Sequence, residues 1–208
     1  MAARPFHHLI DQSLRAITSL RSLEESVAAA STAMAEALAS GKKILCCGNG
    51  GSAAESGHLA TELLCRLDKD RRALPALNLS GDPSFLTATA NDYTFNEVFA
   101  RQVTGLGQEG DVLVAFTTSG NSPNVLRALQ AAREKGIRSI ALLGRDGGEA
   151  AALADIPLIV PAQATMHIQE AHQVLLHILC VQIEEVLFPD LNAIPWQNPT
   201  FLAGLAET

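Results

Sequence analysis

His58 and Glu62 stand four residues apart in one stretch of helical composition, and Gln169 and His177 stand eight apart in another. Four residues carry a helix about 40° past a full turn and eight about 80°, so each pair shares a face. Imidazole nitrogen and carboxylate oxygen are donors that zinc and similar divalent ions accept, and a weak amide ligand suits an adaptable reactive site. A His and a Glu at this spacing also make an ordinary surface pair. Spacing alone leaves both readings open.

Two turns offer a different chemistry. Gly48 to Leu63 reads GNGGSAAESGHLATEL and follows the apolar run Ile44-Leu45-Cys46-Cys47. Gly48, Gly50 and Ala53 fit the G-x-G-x-x-G/A dinucleotide fingerprint. That fold wants an acid at the end of the second strand. Asp68 and Asp70 fall in a charged loop before that strand and Asp82 comes late, so a dinucleotide is the lesser reading. The second turn, Thr117-Thr118-Ser119-Gly120-Asn121-Ser122, combines four hydroxyls with the start of a helix, which suits a phosphate. Ser122 followed by Pro123 also reads as a plain helix cap.

The elements that must position these residues follow from hydrophobic period. Phe6, Leu9, Ile10, Leu14, Ile17 and Leu20 have helical spacing, and an Ala-rich helix is expected from about residue 23 to 38, stopped by Gly41. Strands are expected over residues 43–47, 76–79, 111–116, 139–143 and 156–160. Helices are expected over 52–67, 95–106, 122–135 and, longest, 165–187. Strands alternating with helices predict an α/β three-layer fold with a mostly parallel sheet covered on both faces. One domain spans 1–208, with a helical extension over about 1–41 and an irregular tail over about 189–208, where Trp196 packs across a subunit edge or hangs loose. The strand–turn–helix segments KKILCCGNGGSAAE and DVLVAFTTSGNSPN echo each other. Their turns belong at the carboxyl ends of parallel strands, where open α/β sheets bind ligands.

Composition narrows the function. The chain has 208 residues, 48% of them hydrophobic, and a net charge of −7, which supports a sizeable core and argues against a nucleic-acid surface. The cluster Lys69 to Arg72 reads as a solvated loop. Four cysteines without CxxC spacing predict reduced thiols rather than a disulfide or zinc-knuckle framework. No apolar run approaches the roughly 18 residues of a membrane span, and the start lacks a secretory pattern, so a cytoplasmic protein is expected. His7 and His8 read as surface residues, His167 and His172 project from other sides of the long helix, and Met34 and Met166 read as packing residues.

Together these residues resemble the sugar isomerase (SIS) domain, and within it the phosphoheptose isomerases. The resemblance runs through Cys47 to Ser52, His58 to Arg66, Leu74 to Leu77, Asn91-Asp92, Gly110 to Leu113, Thr117 to Ser122, Asp146 to Gly148 and Ile168-Gln169-Glu170 followed by His177. It implies a flavodoxin-like, doubly wound sheet of five parallel strands, a homotetramer, and active sites where subunits meet. It further implies one Zn2+ per subunit on His58, Glu62, Gln169 and His177. Thr117, Thr118, Ser119 and Ser122 would hold the substrate phosphate. Asn49, Ser52, Arg66 and Asp92 would contact the sugar, with Gly50, Gly51, Asn91 and Gln169 lining the same site. The implied reaction turns sedoheptulose 7-phosphate into D-glycero-D-manno-heptose 7-phosphate through an enediol. Glu62 and His177 are its candidate acid and base as well as ligands.

The chain departs from the family pattern at Met166-His167, where Asp-Arg is usual, at Thr117, where Ser is usual, and at Glu55, where Asp is common. The ending Leu187-Phe188-Pro189 resembles a sister branch, a non-catalytic tetramer that binds the bacterial replication initiator. That branch typically lacks the equivalents of Glu62 and His177. A sugar-phosphate-sensing SIS module is the remaining alternative.

Overall fold

The structure, a computed structural model, describes residues 5–191. Most of the expected C-terminal tail, Trp196 included, lies outside the described residues. Five strands form one parallel sheet: β1 (Ile44–Gly48), β2 (Ala76–Asn78), β3 (Val112–Thr117), β4 (Arg138–Gly144) and β5 (Ile156–Val160), in the order β2-β1-β3-β4-β5. β1 and β3 are buried along their whole length, as strands covered on both faces must be, and this explains their unbroken apolar runs.

Side chains alternate between two cores. Ile44, Cys46, Val112, Val114, Phe116, Ile140 and Leu142 face one. This core is closed by α1 (Phe6–Ser19), α2 (Glu24–Ala39), α3 (Gly51–Leu64) and α8 (Thr165–Leu187). Leu45, Cys47, Leu113, Ala115, Ala141 and Leu143 face the other, under α5 (Ala100–Leu106), α6 (Pro123–Glu134) and α7 (Ala150–Leu153). The remaining helix, α4 (Pro83–Asp92), follows β2. Sequence periodicity misses it because PSFLTATAND carries no apolar stripe, although Asp82 accepts from the Ser84 and Phe85 amides and Pro83 occupies the first turn. The helix expected over 95–106 is broken into a 3₁₀ turn, Phe95–Glu97, and α5.

The cluster at Lys69–Arg72 is not a solvated loop. Asp70 and Arg72 are exposed, but Lys69 and Arg71 are buried. The Arg71 guanidinium donates through Nε to Glu184 Oε1 at 2.9 Å, with both side chains sealed from solvent. It also donates to the carbonyls of Glu62, Leu63 and Cys65, at the C-terminal end of α3. Glu184 in turn accepts the backbone N–H groups of Leu67, Asp68 and Lys69. The buried carboxylate thus meets one cation and three amides, and the cation satisfies carbonyls that the end of a helix leaves unpaired. The partner lies 113 residues away, so local sequence could not disclose it.

Just before β3, the central strand, Asp111 accepts from the Lys43 amide at 3.0 Å, from Lys43 Nζ at 2.6 Å and from the Gln108 amide at 2.8 Å. Burial pushes this carboxyl up, and the hydrogen bonds and charge of its neighbours more than offset it, so its pKa falls below the ordinary 3.8. All four cysteines are free, and burial raises the thiols of Cys46, Cys47 and Cys180, Cys47 to about 12.

Two outcomes follow. Glu184→Ala strands Arg71 without a counter-ion and should cost about 3–5 kcal/mol in denaturant unfolding; a loss under about 1 kcal/mol would contradict the buried pair. Because the folded pKa of Asp111 is lowered, its contribution to stability is complete above pH 3.8 and is lost as pH falls through the folded value. Asp111→Asn should therefore flatten the acid limb of the stability profile, and an unchanged limb would contradict the assignment.

Candidate active site at the switch point of the sheet

β1 leads away to β2 on one side and pairs with β3 on the other, so the direction in which successive strands are added reverses between β1 and β3. The carboxyl ends of those two strands, where such sheets open a crevice, carry the two turns that the sequence singles out. Their register places Gly48 beside Phe116. The turns are locked together by a reciprocal amide pair: Asn49 Nδ2 donates to Asn124 Oδ1 and Asn124 Nδ2 to Asn49 Oδ1, both at 2.8 Å. Asn124 is a residue the sequence reading missed. Its position just inside α6, two residues past Ser122, was the available signal.

The second turn gathers hydroxyls. Thr117 Oγ1 lies 3.1 Å from Ser122 Oγ and 3.4 Å from Ser119 Oγ, with Thr118 partly open between them. Ser122 stands at the N-cap of α6, yet its side chain makes no cap bond, so the hydroxyl is turned to its neighbours rather than spent on the helix. Gly120 has φ +67°, and a Cβ there would run into the Gly147 carbonyl. The result is a compact, donor-rich bowl at a helix N-terminus, the arrangement that holds an anion. The corresponding carboxylate of a dinucleotide site is missing: β2 ends in Asn78, whose Oδ1 accepts from Ser56 Oγ and the Ser80 amide.

α3 starts directly after the first turn and packs against α8 over the sheet. Between these helices His58 Nε2 lies 2.8 Å from Glu62 Oε1 and 3.3 Å from His177 Nε2. The two rings meet edge to face, with centroids 4.9 Å apart. One ligand atom from each of His58, Glu62 and His177 lies within 4.8 Å of the others, and all three residues are partly buried. Two nitrogens on a tetrahedral zinc stand about 3.4 Å apart, so the spacing of the two imidazoles and the N,N,O donor set fit such an ion. Burial, and then the neighbouring His58, lower the pKa of His177 below 6.5 against the pull of Glu62. The ring is neutral near pH 7 and keeps a lone pair to offer.

The other expected residues divide. Gln169 stands on the α8 face that carries His177, with its carboxamide pressed against Gly51, where a Cβ would collide with it. Ser52 is buried behind the first turn, and Gly50 is exposed on it. Arg66 lies just past α3 and meets Asp70 at 3.7 Å. Asn91 and Asp92 bond to each other on the exposed end of α4. Met34 is fully buried as expected, whereas Met166 is 42% exposed and is not a core residue. His7 and His8 are on the surface. His167 and His172 are buried, the latter with Nε2 at 3.1 Å from the Leu143 carbonyl and Nδ1 at 3.7 Å from Glu55. The sequence reading also missed Gln173, whose Nε2 is 2.7 Å from His58 Nδ1.

The family model described as the SIS domain matches residues 7–144. The chain belongs to the SIS domain family. Within it, the phosphoheptose isomerase of Pelobacter propionicus is 54% identical over 155 residues, covering 74% of this chain and 82% of that protein. That of Nitratiruptor sp. is 55% identical over 150 residues, covering 72% and 80%. The structure of a phosphoheptose isomerase from Neisseria gonorrhoeae matches this SIS domain with a TM-score of 0.82 at 43% identity, over 86% of this chain and 96% of that one. The five-stranded parallel sheet and flanking helices of this chain are those that the sequence resemblance implies.

Two measurements check this geometry. In the metal-free SIS domain the His177 imidazole should titrate, by NMR, with a midpoint below 6.5; a midpoint at or above that value contradicts the packing of its ring. Thr117→Val, which deletes the hydroxyl shared by Ser119 and Ser122, should weaken phosphate-ester binding roughly tenfold or more in calorimetry, and unchanged affinity would remove the bowl from the site.

Proposed function

We propose that this protein interconverts sedoheptulose 7-phosphate and D-glycero-D-manno-heptose 7-phosphate, in the synthesis of bacterial heptose and lipopolysaccharide precursors. The reading is carried by the meeting of His58, Glu62 and His177 on a chain that shares 54% identity with a phosphoheptose isomerase. The bowl of Thr117, Thr118, Ser119 and Ser122 is suited to the phosphate. Asn49, Ser52, Arg66 and Asp92, with Gly50, Gly51, Asn91 and Gln169, serve the sugar hydroxyls once the subunits of a homotetramer close the site.

The reaction moves one proton from C1 to C2. A base takes hydrogen from C1 of the ketose while O2 gains a proton, leaving an enediol. Return of a proton to C2 and loss of the O1 proton then yield the aldose. Glu62 suits the carbon transfers, since besides the oxygen that meets His58 it has a second one for the proton. His177, neutral at physiological pH because of its lowered pKa, suits the exchange with the oxygens. The fit of His58, Glu62 and His177, with Gln169 on the same helix face as His177, supports one Zn2+ per subunit, whose chemistry when bound is to polarise the substrate carbonyl. A chain without nucleic-acid or membrane partners, working in the cytoplasm, suits a freely diffusing sugar phosphate. A scaffold for another protein would require none of the three clustered groups.

The test is conversion of sedoheptulose 7-phosphate by zinc-loaded protein beside chelator-treated protein. Glu62→Gln and His177→Ala should each lower kcat by about 10²–10⁴-fold, and chelation should abolish turnover. A folded, zinc-loaded tetramer without turnover would overturn the substrate assignment.

A further inference from the structure

Gln169, Gln173 and His177 follow one another at intervals of four on α8, which stacks them in one stripe facing α3. The middle residue has no part in the site as derived above, yet it makes the shortest contact to the cluster from that helix. Gln173 Nε2 is 2.7 Å from His58 Nδ1, and His58 Nε2 is 2.8 Å from Glu62 Oε1. A neutral imidazole has one ring proton, and whichever nitrogen lacks it must accept. In the arrangement observed the Gln173 amide donates to Nδ1, so the proton sits on Nε2 and is donated to Glu62.

An ion taken by His58 needs the Nε2 lone pair, which obliges the proton to move to Nδ1. Nδ1–H then requires an acceptor. A carboxamide supplies either group, because a half-turn about its last bond exchanges oxygen for nitrogen. Gln173 is half-buried beside the ring, so no charge has to be desolvated to perform either role. A carboxylate there would only accept, and an ammonium would only donate.

We infer that Gln173 is a positioning residue that serves both tautomers of His58, holding the ring in place as its proton passes from Nε2 to Nδ1 on metal uptake. The inference rests on the metal reading given under Proposed function. Gln173 reaches the reaction through His58 alone.

The experiment compares the full-length protein with Gln173→Leu and Gln173→Glu. Zinc affinity is read by competition with a chromophoric chelator, the His58 tautomer by long-range nitrogen–proton NMR of the metal-free and zinc-loaded protein, and Tm by circular dichroism. Leucine, which neither donates nor accepts, should weaken zinc about tenfold or more, whereas glutamate, an obligate acceptor, should stay within about threefold of the parent or bind tighter. Metal-free parent should show the proton on Nε2 and a bare Nδ1, and metal-free Gln173→Glu should show Nδ1 protonated. A leucine variant with parental affinity, leucine and glutamate variants weakened equally, or a tautomer that glutamate leaves unchanged would overturn the inference. A parent that takes up no zinc would defeat the metal reading instead, and the metal-free tautomer comparison would still decide the role of Gln173.

Discussion

The arrangement hangs on the Arg71 guanidinium. It sits between the last carbonyls of α3 and the carboxylate of Glu184 on α8, so one buried planar cation sets how far the first helix runs and where the second lies against it. Arginine is suited to this work because its fixed fork of donors meets several acceptors at once and does not give up its proton. The carbonyl it takes from Glu62 belongs to a residue of the site itself. His58 and Glu62 ride on α3 and His177 on α8, so the relation between the two helices is also the relation between the ligand atoms. A buried ion pair is poor evidence of net stability; here it joins the two helices on which the proposed chemistry depends.

The sheet supplies the second half of the site. At the seam between β1 and β3 the neighbouring strands send their crossovers to opposite faces, α3 to one and α6 to the other, and both turns that carry polar residues open there. The Asn49–Asn124 pair closes the seam, so the glycine turn and the hydroxyl bowl behave as one wall. α3 begins on that wall, which brings the metal-suited cluster and the phosphate-suited bowl to the same edge. A phosphate at one end of a sugar and a reacting carbonyl at the other can then be addressed together.

Much of this was legible because buried parallel strands have unmistakable apolar runs: the strand expected over 156–160 and the helix over 165–187 match β5 and α8 end to end. Helical spacing likewise put His58 with Glu62. Other features were silent for physical reasons. α4 lacks an apolar stripe, and its evidence lay in the Asp82-Pro83 start. The burial of Lys69 and Arg71 depends on Glu184, which no local window contains. Ser122 looked like a cap and is not one through its side chain. Gln173 and Asn124 act on partners 115 and 75 residues away, so type and spacing pointed to them only weakly. Met166 is exposed where a packing role was expected.

In the proposed function two helix faces converge to hold one divalent ion beside the phosphate-suited bowl. Crystals grown with zinc and measured on both sides of its absorption edge test it most directly. The account predicts a single anomalous peak per subunit within bonding distance of His58 Nε2, His177 Nε2 and a Glu62 oxygen, about 2.0–2.2 Å from each. Zinc bound elsewhere, or those three side chains left without it while the metal occupies other sites, would contradict the account.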